Sequence, residues 1–268
     1  MTMRIVVVVQ ARTGSQRLPG KILLPLAGKP LLQRQLERIQ AATVPFELVV
    51  ATTHSSNDDP VRELCKSLHI KCFSGHPTDL LDRHYQAAKA ERADSVVKIP
   101  SDCPLIDPHI IDCVLTAFLE SADSVDYVSN LHPPTYPDGN DVEVMHFSVL
   151  ETAWREAKKD FEREHTTPFI WEQPERFRLK NVEWETGLNY AMTHRFTIDY
   201  LEDYHFIKAV YDELWTESKP IFSLYDILQL LERKPELMEI NRKYAGVNWY
   251  RHYLGELKTI TAKDTKQV

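Results

Sequence analysis

Apolar and polar positions alternate along the first half of the chain in two rhythms. Ile5 to Val9 is a continuous β-branched run, the pattern of a strand buried on both faces. A polar loop follows from Gln10 to Lys21, and 30–39 then repeats apolar residues at helical spacing, with Leu32, Leu36 and Ile39 on one face. The same pairing predicts strands at 47–51, 71–74, 95–99 and 127–129. It predicts helices at 60–68, 79–92 and 108–120. Alternation of this kind implies an α/β domain with a mostly parallel sheet. Ligands of such sheets gather at the carboxyl ends of the strands, so the loops after Val9, Ala51 and Ile99 are expected at one edge.

The rhythm breaks between 130 and 194, where Pro133-Pro134, Pro137-Asp-Gly139 and a helix at 148–157 read as a large insertion. A strand is expected again at 195–198 and a helix at 202–215. This gives one α/β domain over 1–215, carrying the insertion, and a helical extension over 216–268. Residues beyond Pro220 read as peripheral, and the polar stretch 259–268 as frayed.

Composition narrows the class. With 268 residues, 43% of them hydrophobic, and a net charge of −7, the chain can build a sizeable core but lacks the basic stripe of a nucleic-acid binder. No apolar run approaches the ~20 residues that a membrane-spanning helix needs. Cys65, Cys72, Cys103 and Cys113 form no CxxC pair; with no secretory signal, they suit reduced thiols in a cytoplasmic protein. Glycine is scarce, with only 8, so each position is informative.

The loop Gln10-Ala-Arg-Thr-Gly-Ser-Gln-Arg-Leu-Pro-Gly-Lys21 carries Arg12, Arg17 and Lys21 with no acid before Lys29. Glycines and a serine beside three cations are the ingredients of a phosphate cradle. The alternative is a solvated basic turn. It is no P-loop, because five residues separate Gly14 from Gly20 and Ile22 follows Lys21. Nor is it the G-x-G-x-x-G of dinucleotide enzymes.

Ala11-Arg-x-Gly-Ser-x-Arg-Leu-Pro-Gly-Lys21, with Leu26-Ala-Gly-Lys-Pro-Leu31, resembles the N-terminal signature of sugar nucleotidyltransferases. The likeness is nearest to the cytidylyltransferases for 3-deoxy-ketoaldonates and acylneuraminates, and within them to the SpsF-like branch of spore coat polysaccharide synthesis. It continues through Ser74-Gly75, Leu81-Asp-Arg-x-Tyr-Gln-Ala-Ala88 and Asp102-Cys-Pro-Leu-Ile-Asp-Pro108. Further on it takes in Tyr136-Pro-Asp-Gly-x-Asp-Val-Glu-Val144, Arg163-Glu-His-x-Thr-Pro168 and Arg195-Phe-Thr-Ile-Asp199, covering roughly 4–215.

The resemblance implies a three-layer α/β/α, Rossmann-like nucleotide-diphospho-sugar transferase fold. It implies a Mg²⁺-dependent transfer of CMP from CTP to a small sugar or sugar-acid acceptor, with a homodimer as the working form. Arg12 and Lys21 would contact the phosphates, Ala11, Gly14 and Ser15 would approach them closely, and Arg17 would bind phosphate or brace the loop. Asp102 and Asp199 would hold Mg²⁺; read without the family, Asp102 begins a turn and Asp199 caps a helix, with Asp203 a nearby substitute. Ser74 and Arg83 lie where relatives read the base, although Arg83 also suits a helix-surface ion pair. Asp138, Asp141, Glu143 and His165 would bind the acceptor or help deprotonate it; the alternative is a hydrogen-bonded turn framework. Another nucleoside triphosphate, a non-sugar acceptor such as a polyol or phosphonate, and a catalytically silent nucleotide-binding module are the competing readings. Five glycines, Gly14, Gly20, Gly28, Gly75 and Gly139, fall in the matching segments and are expected where backbone comes close or φ is unusual.

Overall fold

The computed structural model describes residues 3–267. β1 (Ile5–Gln10) runs into the long polar loop. A small ribbon follows, β2 (Pro25–Leu26) with β3 (Lys29–Pro30), and leads into α1 (Leu31–Gln40). The chain then alternates through β4 (Glu47–Thr53), α2 (Asp59–Ser67), β5 (Lys71–Gly75) and α3 (Leu80–Ala90). Next come β6 (Ser95–Pro100), α4 (Pro108–Ser121) and β7 (Tyr127–Ser129). β8 (Glu143–His146), α5 (Phe147–Glu156), the short α6 (Asp160–His165) and α7 (Pro168–Trp171), and β9 (Leu179–Asn181) follow. α8 (Leu201–Leu214), α9 (Leu224–Arg233) and α10 (Glu236–Glu239) complete the regular elements.

The sheet runs in the order β5-β4-β1-β6-β8-β7-β9. β8 alone is antiparallel to its neighbours, so the sheet is mostly parallel, as the alternation implied. β1 is buried on both faces, which is why its sequence is an unbroken β-branched run. Val7 and Val9 meet Leu32 and Leu36 of α1, Val114 of α4 and Phe206 of α8. Val6 and Val8 meet Leu81 and Tyr85 of α3, Leu150 of α5 and Ile170 of α7. Helices therefore cover both faces, the three-layer α/β/α arrangement.

Local chemistry sets the helix starts. Asp79 accepts the amide of Asp82 ahead of α3, and Asp107 accepts that of His109 ahead of α4, where Pro108 needs no donor of its own. Ser223 and Asp226 cap α9 reciprocally.

Three expectations are corrected. First, 195–198 is no strand; one isolated bridge, Asp138 to Arg195, replaces it, and the segment is spent linking two loops. The amide of Phe196 donates to the Asp138 carbonyl at 2.7 Å and that of Ile198 to the Asp102 carbonyl at 2.9 Å. Second, the chain beyond Pro220 is not peripheral: Phe222, Leu224, Ile227, Leu230 and Leu231 are buried in the main core. Third, the polar stretch after Thr259 is not frayed as far as it is described. Thr259 is tied to the Glu172 carboxylate, Thr265 is buried and the amide of Lys266 donates to the Gly246 carbonyl at 2.7 Å. Val268 lies outside the described residues. Among the described residues, no helix is long and apolar enough to cross a membrane.

Candidate active site

A cavity of about 660 Å³ opens at the carboxyl ends of β1 and β6. Its near wall is the polar loop, and the loop's shape follows from Thr13. The Thr13 carbonyl accepts the amides of Ser15 and Gly20, both at 2.9 Å, pinching the loop shut. Gly20 closes that turn at φ +69°, a conformation glycine takes without penalty. The Thr13 amide donates to the Asp58 carboxylate at 2.7 Å. Burial would raise Asp58, yet the donors of Thr13 and Thr53 hold it below the usual carboxylate range. The segment after β4 therefore braces the phosphate loop.

The loop's cations meet carboxylates from two other segments. Lys21 Nζ lies 3.1 Å from Asp199 Oδ1 and 3.6 Å from Asp102 Oδ2, and donates to the Ile198 carbonyl. Arg17 reaches Asp199 at 2.6 Å. Arg195, 1% exposed at its side chain, spans Asp138 at 3.3 Å, Asp199 at 3.1 Å and Asp203 at 2.9 Å. Burial alone would lift Asp199, but Lys21, Arg17 and Arg195 hold it at about 2. Burial would likewise lower Lys21, and Asp102 and Asp199 reverse the sign and raise it.

Asp203 is not a stand-in for Asp199. Its carboxylate accepts the amides of Asp199 and Tyr200 at 2.9 and 3.0 Å while holding Arg195, so it fixes the turn that presents Asp199. The same turn runs against the acidic loop of the insertion. A Cβ on Gly139 would lie 2.6 Å from the carbonyl carbon of Phe196, so only glycine lets the two backbones touch.

The far wall comes from the insertion. Asp138, Asp141, Glu143 and His165 all line it, with Lys98 of β6. Glu143 is consumed by Lys98 at 2.5 Å and the Tyr127 hydroxyl at 2.6 Å. Asn130 and Asn140 hold the 137–142 turn through backbone hydrogen bonds, so a hydrogen-bonded framework is also present. Asp141 forms no ion pair among the described residues; burial, then the charge of Asp102, raises it to about 7 against the opposing charge of Lys98. Burial lowers His165 to about 3, and its ring stacks on Trp249 at 3.8 Å. A neutral, stacked imidazole is a wall and a hydrogen-bonding edge, and a poor proton acceptor at neutral pH.

Of the remaining sequence candidates, Ala11, Arg12 and Ser15 line the cavity. Arg12 bonds the Pro77 carbonyl at 2.8 Å. Ser74 lies on β5, paired with Thr52, and does not reach the cavity. Gly14 also stays off its lining, with neither a positive φ nor a close neighbour. Arg83 forms no surface ion pair: it is 1% exposed, and its Nε and one Nη have no partner. Burial, then the nearby charge of Arg12, lowers it to about 10. An unpaired buried guanidinium at a cavity wall is costly and suits an acceptor atom brought by a ligand.

Sequence reasoning missed two contributors. Lys98 is the one charged side chain in an otherwise apolar strand, which was a usable signal. Residues 246–253 and Asp264 close the cavity from the C-terminal side, and their only trace was the aromatic group Trp249, Tyr250 and Tyr253 in a polar stretch.

The donor set can be tested against a divalent ion. No group of three or more Asp, Glu, His or Cys forms a protein cage among the described residues. Mg²⁺ does not require one, because one or two carboxylates plus substrate phosphates and water suffice. Asp102 and Asp199 converge on one ammonium beside the phosphate loop, so they fit that requirement.

Known proteins resemble this chain in sequence and in fold. The family described as "Cytidylyltransferase" matches residues 6–240. An uncharacterized protein of Methanocaldococcus jannaschii is 35% identical over 89% of this chain and 95% of its own. The spore coat polysaccharide biosynthesis protein SpsF of Bacillus subtilis is 30% identical over 87% of this chain and 95% of its own. The structure of a cytidylyltransferase from Leptospira borgpetersenii superposes with a TM-score of 0.83 at 32% identity, covering 88% of this chain and 97% of that one.

Proposed function

The chain belongs to the cytidylyltransferase family, and from that premise we propose that it transfers CMP from CTP to a sugar or sugar-acid acceptor, with Mg²⁺ and release of pyrophosphate, for a surface polysaccharide or glycan. That it is a nucleotidyltransferase enzyme follows from the family. The observation that carries the finer reading is the convergence of Asp102 and Asp199 on Lys21 at the rim of the cationic loop. The sugar is suggested by the name of the Bacillus subtilis relative.

An acceptor oxygen attacks the α-phosphorus, its bond to the pyrophosphate oxygen breaks, and pyrophosphate leaves. No protein nucleophile is needed, so the protein's work is placement and charge neutralisation. Lys21, Arg12 and Arg17 take the triphosphate and offset the charge that grows on the leaving group. Asp102 and Asp199 would hold Mg²⁺, whose charge would polarise the α-phosphate. Arg83 supplies donors to the base. Asp141, a cavity carboxylate that forms no ion pair among the described residues, takes the acceptor's proton.

The test is pyrophosphate release with each of the four nucleoside triphosphates, with and without Mg²⁺, against a panel of sugars, keto-acid sugars, sugar phosphates and polyols. We expect release with CTP, Mg²⁺ and one acceptor class. Turnover with another nucleotide in place of CTP would overturn the assignment. Nucleotide binding with no release in any combination would favour a silent binding module.

A further inference from the structure

Residues 246–266 form a loop whose ends are tied together beside the cavity. The Lys266 amide donates to the Gly246 carbonyl at 2.7 Å, and the Asn248 side chain to the Asp264 carbonyl at 3.0 Å. The Glu172 carboxylate holds the loop from the end of α7, accepting the Thr259 amide at 2.9 Å. All of this lies beyond the segment, 6–240, that the family match covers. One turn of the loop, Trp249–His252, lines the cavity, and the Asn248 side chain starts it by accepting the Tyr250 amide at 3.1 Å. Its aromatic residues face the insertion: Trp249 stacks on His165, and Tyr250 packs against Trp171. Arg251 reaches elsewhere, to the hydroxyl of Tyr200 at 3.3 Å.

Most cations that line the cavity are matched by acids. Lys98 pairs with Glu143, Arg195 with Asp138, Asp199 and Asp203, and Lys21 and Arg17 with Asp199. Arg251 is half-buried and forms no ion pair among the described residues. Its Nη2 donates to the Tyr200 hydroxyl and its Nε to a ring nitrogen of His252 at 3.2 Å, which leaves Nη1 to a ligand. A guanidinium is a planar fork of donors, matched best by the paired oxygens of a phosphate or carboxylate. Position decides between the two. Tyr200 follows Asp199, its amide donates to Asp203 at 3.0 Å, and its ring stacks on Tyr244 at 3.8 Å, so its hydroxyl is fixed in place. Arg17 lies over the same ring at 5.6 Å. A single phenol therefore separates the guanidinium of the C-terminal loop from that of the phosphate loop. A triphosphate carries more negative charge than Arg12, Arg17 and Lys21 can offset while Asp199 shares two of them.

We infer that Arg251 binds the triphosphate: the C-terminal loop brings a guanidinium to it from across Tyr200, so the phosphates are clamped by two stretches of chain, one of them outside the family match. This inference rests on the reading of the nucleotide as CTP and adds a residue to its site. It is tested on the full chain with Mg²⁺ and no acceptor, by calorimetry of CTP binding to wild type, Arg251→Met and Arg251→Lys. Met keeps an unbranched apolar stem without the charge, and Lys keeps the charge without the fork. Arg251→Met is expected to lose at least about tenfold in CTP affinity, the lower end for a charged hydrogen bond, and Arg251→Lys to recover part of it. Hydrogen exchange over 246–266 without nucleotide is expected to match wild type in both variants. Unchanged CTP affinity in Arg251→Met would overturn the inference and leave the guanidinium to the acceptor. An equal loss in Arg251→Lys, or a loss accompanied by faster exchange along the loop, would also overturn it, since Arg251 would then be a brace. Wild type separates the inference from its premise. If wild type does not bind CTP, the nucleotide reading has failed; if wild type and both variants bind it alike, only the role of Arg251 has.

Discussion

Single side chains in this site do more than one task, and their substitutions should separate those tasks. Lys21→Ala removes the cation shared by Asp102, Asp199 and the expected triphosphate. CTP binding should weaken by about 1.5–3 kcal/mol, the range for charged hydrogen bonds, and unchanged affinity by calorimetry would remove Lys21 from the cradle. Asp102 is about one-third exposed at its side chain and carries little of the packing, so Asp102→Ala should abolish CTP-dependent pyrophosphate release while the melting transition stays near wild type. Near-normal release in that variant would exclude it from the mechanism. Asp141 gives a pH signature. Its folded value, raised to about 7, lies above the ordinary carboxylate value of the unfolded chain. Its contribution to stability is therefore complete at about pH 4 and lost as pH rises through about 7. Urea midpoints of the metal-free protein should fall over that window, and Asp141→Asn should flatten the fall. Asp199 acts in the opposite sense, since its stabilisation is present at neutral pH and lost only as pH drops through about 2.

At the scale of elements, the strands and helices of the first half were legible because each buried face leaves its period in the sequence. β1 is apolar throughout because helices cover both its sides. α1 is periodic because Leu32, Leu36 and Ile39 meet the core, while its buried polar residues Gln35 and Arg38 bond backbone carbonyls of neighbouring segments. The phosphate loop was legible because unpaired cations and glycines in a polar stretch have few structural uses. β8 was not, because its first residue, Glu143, is charged, and a buried Lys98–Glu143 pair reads as a catalytic motif until both partners are seen. Segment 195–198 misled for the converse reason: Phe196 and Ile198 are buried in the main core, but their backbone amides bond loops rather than a ladder. The closing loop was illegible because its order comes from contacts distant in sequence, above all with Glu172. Glu172→Ala should orphan the amides of Lys258 and Thr259 at a cost of about 1–3 kcal/mol. Hydrogen exchange over 246–266 should then rise while α1 and β1 stay protected. Uniform loss of protection would mean that the loop is not a separately anchored unit.

Taken as a whole, the cavity is built from stretches inside the family match and one stretch beyond it. The carboxyl ends of β1 and β6 supply the nucleotide side, and the family match covers both. The insertion and the C-terminal loop supply the acceptor side, with the loop outside that match. On the proposed function, nucleotide choice and acceptor choice fall to separate stretches of chain. The working form expected from the resemblance is a homodimer, which sedimentation at micromolar protein would report directly. A monomer at that concentration would end the expectation.

Arg195 sits where those two halves meet. One buried guanidinium holds Asp199 on the nucleotide side, and Asp138 and the Val247 carbonyl on the acceptor side. In the proposed reaction Mg²⁺ and the triphosphate would draw on Asp199 and Arg17, and the share of Arg195 left for Asp138 and Val247 would change with them. Occupancy at one end is therefore felt energetically at the other, and thermodynamics makes the debt mutual: the factor by which nucleotide alters acceptor affinity is the factor by which acceptor alters nucleotide affinity. The two ends of the site are thus joined through one buried side chain, in whichever order the ligands arrive.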